Sequence, residues 1–198
     1  MKYYIFGIPN SGTQYIKKLV DLNFFAESNN KNDMGHWSWV HNGDAENATA
    51  SLFQNTPLIF TYAELQKWIN SLLVDGQQFI HQCGLNQYPD YHDAALLLHS
   101  QDTRWSLPKA VEVWSEFHIN WIRYIHRSKY LIINKSRIDD QPYLVDRLSK
   151  IQHDLELKKK MTNWTLIEEK TVGNSLTENQ LDYIENKVLT EIKDFYER

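Results

Sequence analysis

Apolar residues along this chain switch spacing again and again, between short continuous runs and a helical period. Tyr3–Phe6 is aromatic and β-branched and stops at Gly7, which predicts a short buried strand. From Gly12 to Asn23, the residues Tyr15, Ile16, Leu19, Val20 and Leu22 recur at helical spacing. Phe24–Glu27 is expected as a second short strand, and His36–His41 as an extended segment ending at Asn42-Gly43. A short helix is expected over Asp44–Phe53, a buried strand over Pro57–Tyr62, and an amphipathic helix over Glu64–Val74. Asp75–Leu107 carries no clean period and is expected to form short helices and loops, as in a lid.

Pro108–Arg127 holds the strongest helical seam. Ala110, Trp114, Phe117, Trp121 and Ile125 are separated by steps of four, three, four and four, with Pro108 suited to a first turn. Lys129–Asn134 predicts another buried strand and Asp140–Ile151 another helix. Thr177 and Gln180 have capping-box spacing, ahead of a last helix carrying Leu181, Ile184, Val188, Ile192 and Phe195. Strands alternating with helices predict an α/β fold of three layers, with a mostly parallel central sheet flanked by helices. Right-handed crossovers then bring Gly7–Thr13, Thr61–Ala63 and Asn134–Arg137 to one edge, where such sheets bind ligands.

Composition narrows this picture. The 198 residues suit a single domain, 1–198, and no linker, repeat or low-complexity stretch interrupts them. A formal charge of −4 gives no general basic footprint, so no nucleic-acid partner is expected. The lone cysteine, Cys83, excludes a disulfide framework and leaves no basis for a cysteine-built zinc site. Without a signal-like start or a long apolar run, the expectation is a cytoplasmic protein with no membrane partner.

Gly7-Ile8-Pro9-Asn10-Ser11-Gly12 matches the first half of a phosphate-binding Walker loop. Glycines there let backbone N–H groups turn inward, and the helix that follows adds the positive end of its dipole. Thr13 stands where that motif has lysine, and Gln14 where it has Ser or Thr. Losing the phosphate cation and the Mg²⁺ hydroxyl argues against triphosphate hydrolysis, so a nucleotide-kinase-type phosphotransferase is the weakest reading.

Pro9-Asn10-Ser11-Gly12-Thr13 resembles the Pro-[Lys/Arg]-Ser-Gly-Thr loop of the P-loop sulfotransferases that use 3′-phosphoadenosine 5′-phosphosulfate (PAPS). The likeness continues through the strand, turn and Trp68-to-Ser71 helix over Pro57–Leu73, then the Trp-bearing helix and strand over Ala110–Ile138. It spans roughly residues 1–150. It implies a small P-loop-type domain that binds PAPS through Pro9, Asn10, Ser11, Gly12, Thr13 and Gln14, with Ser71 on the 3′-phosphate. It also implies an enzyme that moves a sulfuryl group to a hydroxyl or amine of a small molecule or saccharide.

Two departures bear on activity. Asn10 stands at the family's leaving-group cation, and Ala63 at its 3′-phosphate arginine. Lys135, Arg137, Arg104 or Lys158–Lys160 are the cations that could replace them. Sulfuryl transfer needs a base for the acceptor proton, and histidine suits that task. Trp39-Val40-His41-Asn42 resembles a Trp-Lys-His-Gly stretch of some sulfotransferase-like proteins, which makes His41 the first choice and His36 the second. Both can also be ordinary loop histidines, and no metal is expected. Trp114, Phe117 and Trp121 share one helical stripe and are expected in the core, as is an ordinary surface or packing role for His118 and His126. The alternative to an enzyme is a non-catalytic phosphate- or nucleotide-binding module on the same fold, which Asn10 and Ala63 favour.

Overall fold

In a computed structural model, residues 1–8, 11–28, 56–71, 103–127, 129–167, 176–188 and 190–196 are described. Four strands form one sheet: β1 (Lys2–Gly7), β2 (Glu27–Ser28), β3 (Leu58–Tyr62) and β4 (Tyr130–Asn134). Their order is β2-β1-β3-β4, and every pairing is parallel. Gly7 pairs with Thr61, and Thr61 with Ile133, so the three longer strands end level with one another.

Parallel strands need helical crossovers, and the alternation of side chains sorts two cores onto the two faces. Tyr4, Phe6, Leu58, Phe60 and Tyr62 point to one face. There they meet Leu65, Trp68 and Ile69 from the helical stretch 65–71, and the long helix α2 (Thr103–Tyr124). Ile184 from α4 (Glu178–Glu185) and Tyr196 from α5 (Thr190–Tyr196) complete that core. Tyr3, Ile5, Ile59, Leu131 and Ile133 point to the other face. They pack on α1 (Thr13–Asn23) and α3 (Gln141–Asp154). The chain leaves β1 towards β2 through α1, and leaves β3 in the opposite sense towards β4 through α2. Crossovers of one hand put those two helices on opposite faces. The place where the order reverses lies between β1 and β3, which makes their carboxyl ends the crevice of the sheet.

Element boundaries differ from the expected ones in instructive places. Helix α2 begins at Thr103 and carries Pro108 inside it, although proline suits the first turn. Leu107 is buried in the core, and that burial draws the helix back past the proline. The last expected helix is two, α4 and α5: Asn186 closes the first, and its side-chain Nδ2 donates to the Asp182 carbonyl. The second strand begins later than expected. Phe24 turns inward against Trp164 and bridges Lys159 instead, while Phe25 turns outward. The stretches expected over His36–His41, Asp44–Phe53 and most of Asp75–Leu107 lie outside the described residues.

Candidate functional site

The three strand ends do converge on one edge, together with the loop after β1. The loop is shaped by hydroxyl groups. Ser11 is fully buried, its N–H donates to the Ile8 carbonyl at 2.9 Å, and its Oγ lies 2.7 Å from Thr61 Oγ1. Thr61 Oγ1 donates in turn to the Phe6 carbonyl at 3.0 Å. A carbonyl only accepts, so the Thr61 proton points at Phe6 and the Ser11 proton must point at Thr61. Both donors of Ser11 are thus spent, the N–H on closing the loop at Ile8 and the hydroxyl on pinning it to β3. A ligand at this edge would meet the shape that Ser11 imposes and not its hydroxyl proton.

The two glycines follow from the same geometry. A Cβ on Gly7 would sit 1.9 Å from Thr61 Oγ1 and 2.2 Å from Ser11 Oγ, so only glycine lets the two hydroxyls meet. Gly12 is the residue before α1 and has φ +84°, in the left-handed region that L side chains rarely enter. No side chain caps α1, and its first turn has no acidic residue. The amides of Thr13 and Gln14 open the helix there, where no intrahelical acceptor exists for them. Thr13 is half-buried and Gln14 exposed.

Space beside Gly12 belongs to Lys135. A Cβ on Gly12 would meet Lys135 Cδ at 2.7 Å, Cγ at 3.1 Å and Cε at 3.4 Å. The lysine stem therefore lies against Gly12 at the start of α1, reaching it from the turn after β4. A net of hydrogen bonds holds that turn. Asn134 accepts from the Ser136 N–H through Oδ1, its own N–H donates to the Tyr143 hydroxyl at 2.6 Å, and its Nδ2 donates to Glu64. The Glu64 N–H donates to Ser136 Oγ at 3.2 Å, and Lys67 Nζ to the Ser136 carbonyl at 2.8 Å, tying the exits of β3 and β4 together. From the core side, Trp114 Nε1 donates to the Ala63 carbonyl at 3.0 Å. Burial pushes the Tyr143 hydroxyl above its ordinary pKa, so it stays protonated as the partner of Asn134.

Among the candidate cations whose side chains are described, Lys135 is the one whose stem touches the loop. Arg137 is turned to Asp140 at 2.8 Å and lies over the Tyr143 ring, where its hydrogen bond holds the Asp140 carboxyl below the usual range. Lys158–Lys160 sit at the far end of α1, where the Lys160 N–H donates to the Asn23 carbonyl. The side chain of Arg104 lies outside the described residues, as do Pro9, Asn10, His36 and His41. Ser71 lies in the helical stretch 65–71, and its hydroxyl donates to the Trp68 carbonyl at 2.7 Å.

Two members of this edge had weak signals in the sequence. Thr61 is the one aliphatic hydroxyl in the apolar strand Leu58–Tyr62, and a polar residue at a buried strand end asks for a partner. Tyr143 carries no signal of its own beyond a helical period. Among the described residues, no three His, Cys, Asp or Glu side chains gather as a metal site would need. Compared with known proteins, the chain matches no protein-family model and no curated protein sequence.

Proposed function

We propose that this edge binds a phosphate-bearing nucleotide, and that the chain is a sulfotransferase-like enzyme using PAPS. The observation that carries the reading is the Lys135 stem across Gly12 at the uncapped start of α1. The donor set suits an anion, since backbone amides at Gly12–Gln14 and one ammonium are what a phosphosulfate needs around it. Lys135 supplies from β4 the charge that Asn10 withholds in the loop itself. The bound donor supplies the sulfuryl group. Asn10 and the loop amides orient it, Lys135 balances charge on the leaving phosphate, and His41 or His36 takes the acceptor proton. Ser71 would serve the 3′-phosphate only by swinging its proton away from the Trp68 carbonyl.

Titration calorimetry with 3′,5′-diphosphoadenosine tests the site. Micromolar binding, about −8 kcal/mol, is expected. Silence at millimolar ligand, with no thermal shift, overturns the reading. Transfer from labelled donor across hydroxyl and amine acceptors then separates enzyme from module. Ala63 in place of the family arginine favours the second reading, a module that binds and transfers nothing. Binding without transfer, followed by activity in Asn10→Lys, would identify a scaffold that has lost its catalytic cation.

A further inference from the structure

The opposite edge of the sheet has a composition of its own. Five large apolar side chains are exposed among the described residues, and four of them gather there: Met1 (59%), Leu22 (45%), Phe25 (55%) and Met161 (61%). Phe25 and Met161 stand on two short loops, Leu22 in the last turn of α1, and Met1 just before β1. The Phe25 N–H donates to the Lys158 carbonyl, the Lys160 N–H to the Asn23 carbonyl, and the Glu27 N–H to the Met1 carbonyl. Asn23 is buried and bonded to Leu19 and Thr165, so the base of both loops is fixed. Phe24 anchors the first loop inward, and Phe25 is left facing solvent.

Charge frames this apolar tip. Lys158 Nζ stands 5.9 Å and Lys160 Nζ 5.8 Å from the Phe25 ring. The acidic groups nearby have cationic neighbours of their own. Asp21 pairs with Lys17 at 2.7 Å, Glu156 pairs with Lys129 at 2.7 Å, and Glu27 lies opposite Lys2 in the strand register. A chain of net charge −4 thus presents a locally positive, apolar tip.

We infer that this tip docks on an anionic phospholipid surface, with Phe25, Met161 and Leu22 entering the headgroup boundary and Lys158 and Lys160 meeting lipid phosphates. A single aromatic ring among aliphatic and thioether side chains suits an acyl boundary better than base stacking, which wants flat rings in series. No helix among the described residues is long and apolar enough to cross a membrane, so the contact is peripheral. Helix α1, 11 residues or about 16 Å long, runs from Gly12 to this tip and would hold the opposite edge clear of the bilayer. The inference stands on the tip alone and does not depend on what that edge binds.

Flotation of the full chain with phosphatidylcholine vesicles, with and without phosphatidylserine, tests it. Binding is expected only with phosphatidylserine and should fall in high salt. Lys158→Gln with Lys160→Gln should weaken partitioning about 30-fold, and Phe25→Gln about tenfold. All three side chains are exposed, and an unchanged melting temperature checks that each variant folds; if Phe25→Gln does not, the lysine pair decides. No binding to phosphatidylserine vesicles, or equal binding by the lysine variant, overturns the inference. So does tight binding to poly-glutamate or RNA by a protein that ignores vesicles, which would make the tip a site for an acidic macromolecule.

Discussion

The two faces of the sheet solve the same burial problem with different side chains. One is mainly aliphatic, with Tyr3, Phe24 and Tyr143 at its margins: Ile16, Leu19 and Val20 of α1, with Leu144, Leu148 and Ile151 of α3, close over Ile5, Ile59, Leu131 and Ile133. The other is aromatic. Phe60, Tyr62, Trp114, Phe117 and Tyr196 surround a fully buried His118, with Tyr62 and Tyr196 stacked 4.0 Å apart. Aliphatic groups need only shape, whereas rings with polar atoms also need partners. His118 Nδ1 lies 2.7 Å from the Trp114 carbonyl, so it is the protonated nitrogen, and Nε2 faces rings without a hydrogen-bond partner. That burial lowers the imidazole pKa to about 3. The Tyr196 hydroxyl is likewise buried without a partner, which keeps it protonated well above the usual range. The aromatic face thus holds the unpartnered buried groups and the charge sensitivity, while the mainly aliphatic face seats α1 and α3 and satisfies the Tyr143 hydroxyl through Asn134.

The sharpest way to test that contrast is to empty each face. Trp114→Ala removes an indole and the donor to Ala63, and should cost about 5 kcal/mol in urea unfolding. Leu148→Ala on the other face should cost about 3 kcal/mol. If nucleotide binding exists, the first should weaken it through the β3 exit turn and the second should not. Equal losses of binding would erase the distinction.

Acid should find the aromatic face next. The unfolded chain binds a proton at His118 near the ordinary 6.5, the folded chain only near 3. Between those values the unfolded state holds more protons, so stability falls as pH falls. From pH 7 to about pH 3.5 the loss is about 4 kcal/mol from this group. His118→Phe should flatten that slope in denaturation curves taken across the range, whatever its stability at neutral pH. An unchanged slope would place the acid sensitivity elsewhere.

Smaller effects belong to the loop. Gly12→Ala forces an L residue into the left-handed region and should cost about 1–2 kcal/mol. Lys135→Gln should leave stability nearly unchanged and weaken phosphate binding about tenfold. The smallest expected change is Ile59→Val, about 1 kcal/mol, with no effect on pH slope or binding. A pH slope altered by Ile59→Val would mean that the two faces are coupled through β3.

Much of the frame was legible before any coordinates. Tyr3–Phe6, the two glycines and the period from Ile16 to Val20 make a strand, loop and helix locally, and all three formed in sequence order. The Trp114–Phe117–Trp121 seam was legible for the same reason, as a helix stripe that must be buried. Ends were less legible. Helix α2 runs through Pro108 with Leu107 buried, and the last helix is split at Asn186, and neither shows in a period.

The sequence by itself determined that strands alternate with helices over the described residues, and that a glycine-bounded loop joins the first strand to the first helix. Those features depend on residues within a turn or two of each other. Only the tertiary structure decided what surrounds that loop. Ser11 meets Thr61, 50 residues away, and Gly12 meets Lys135. Both meetings follow from the strand order β2-β1-β3-β4, which puts the ends of β1, β3 and β4 in one row. Local periodicity carries no record of that order, because it is set by which faces bury each other after the elements exist.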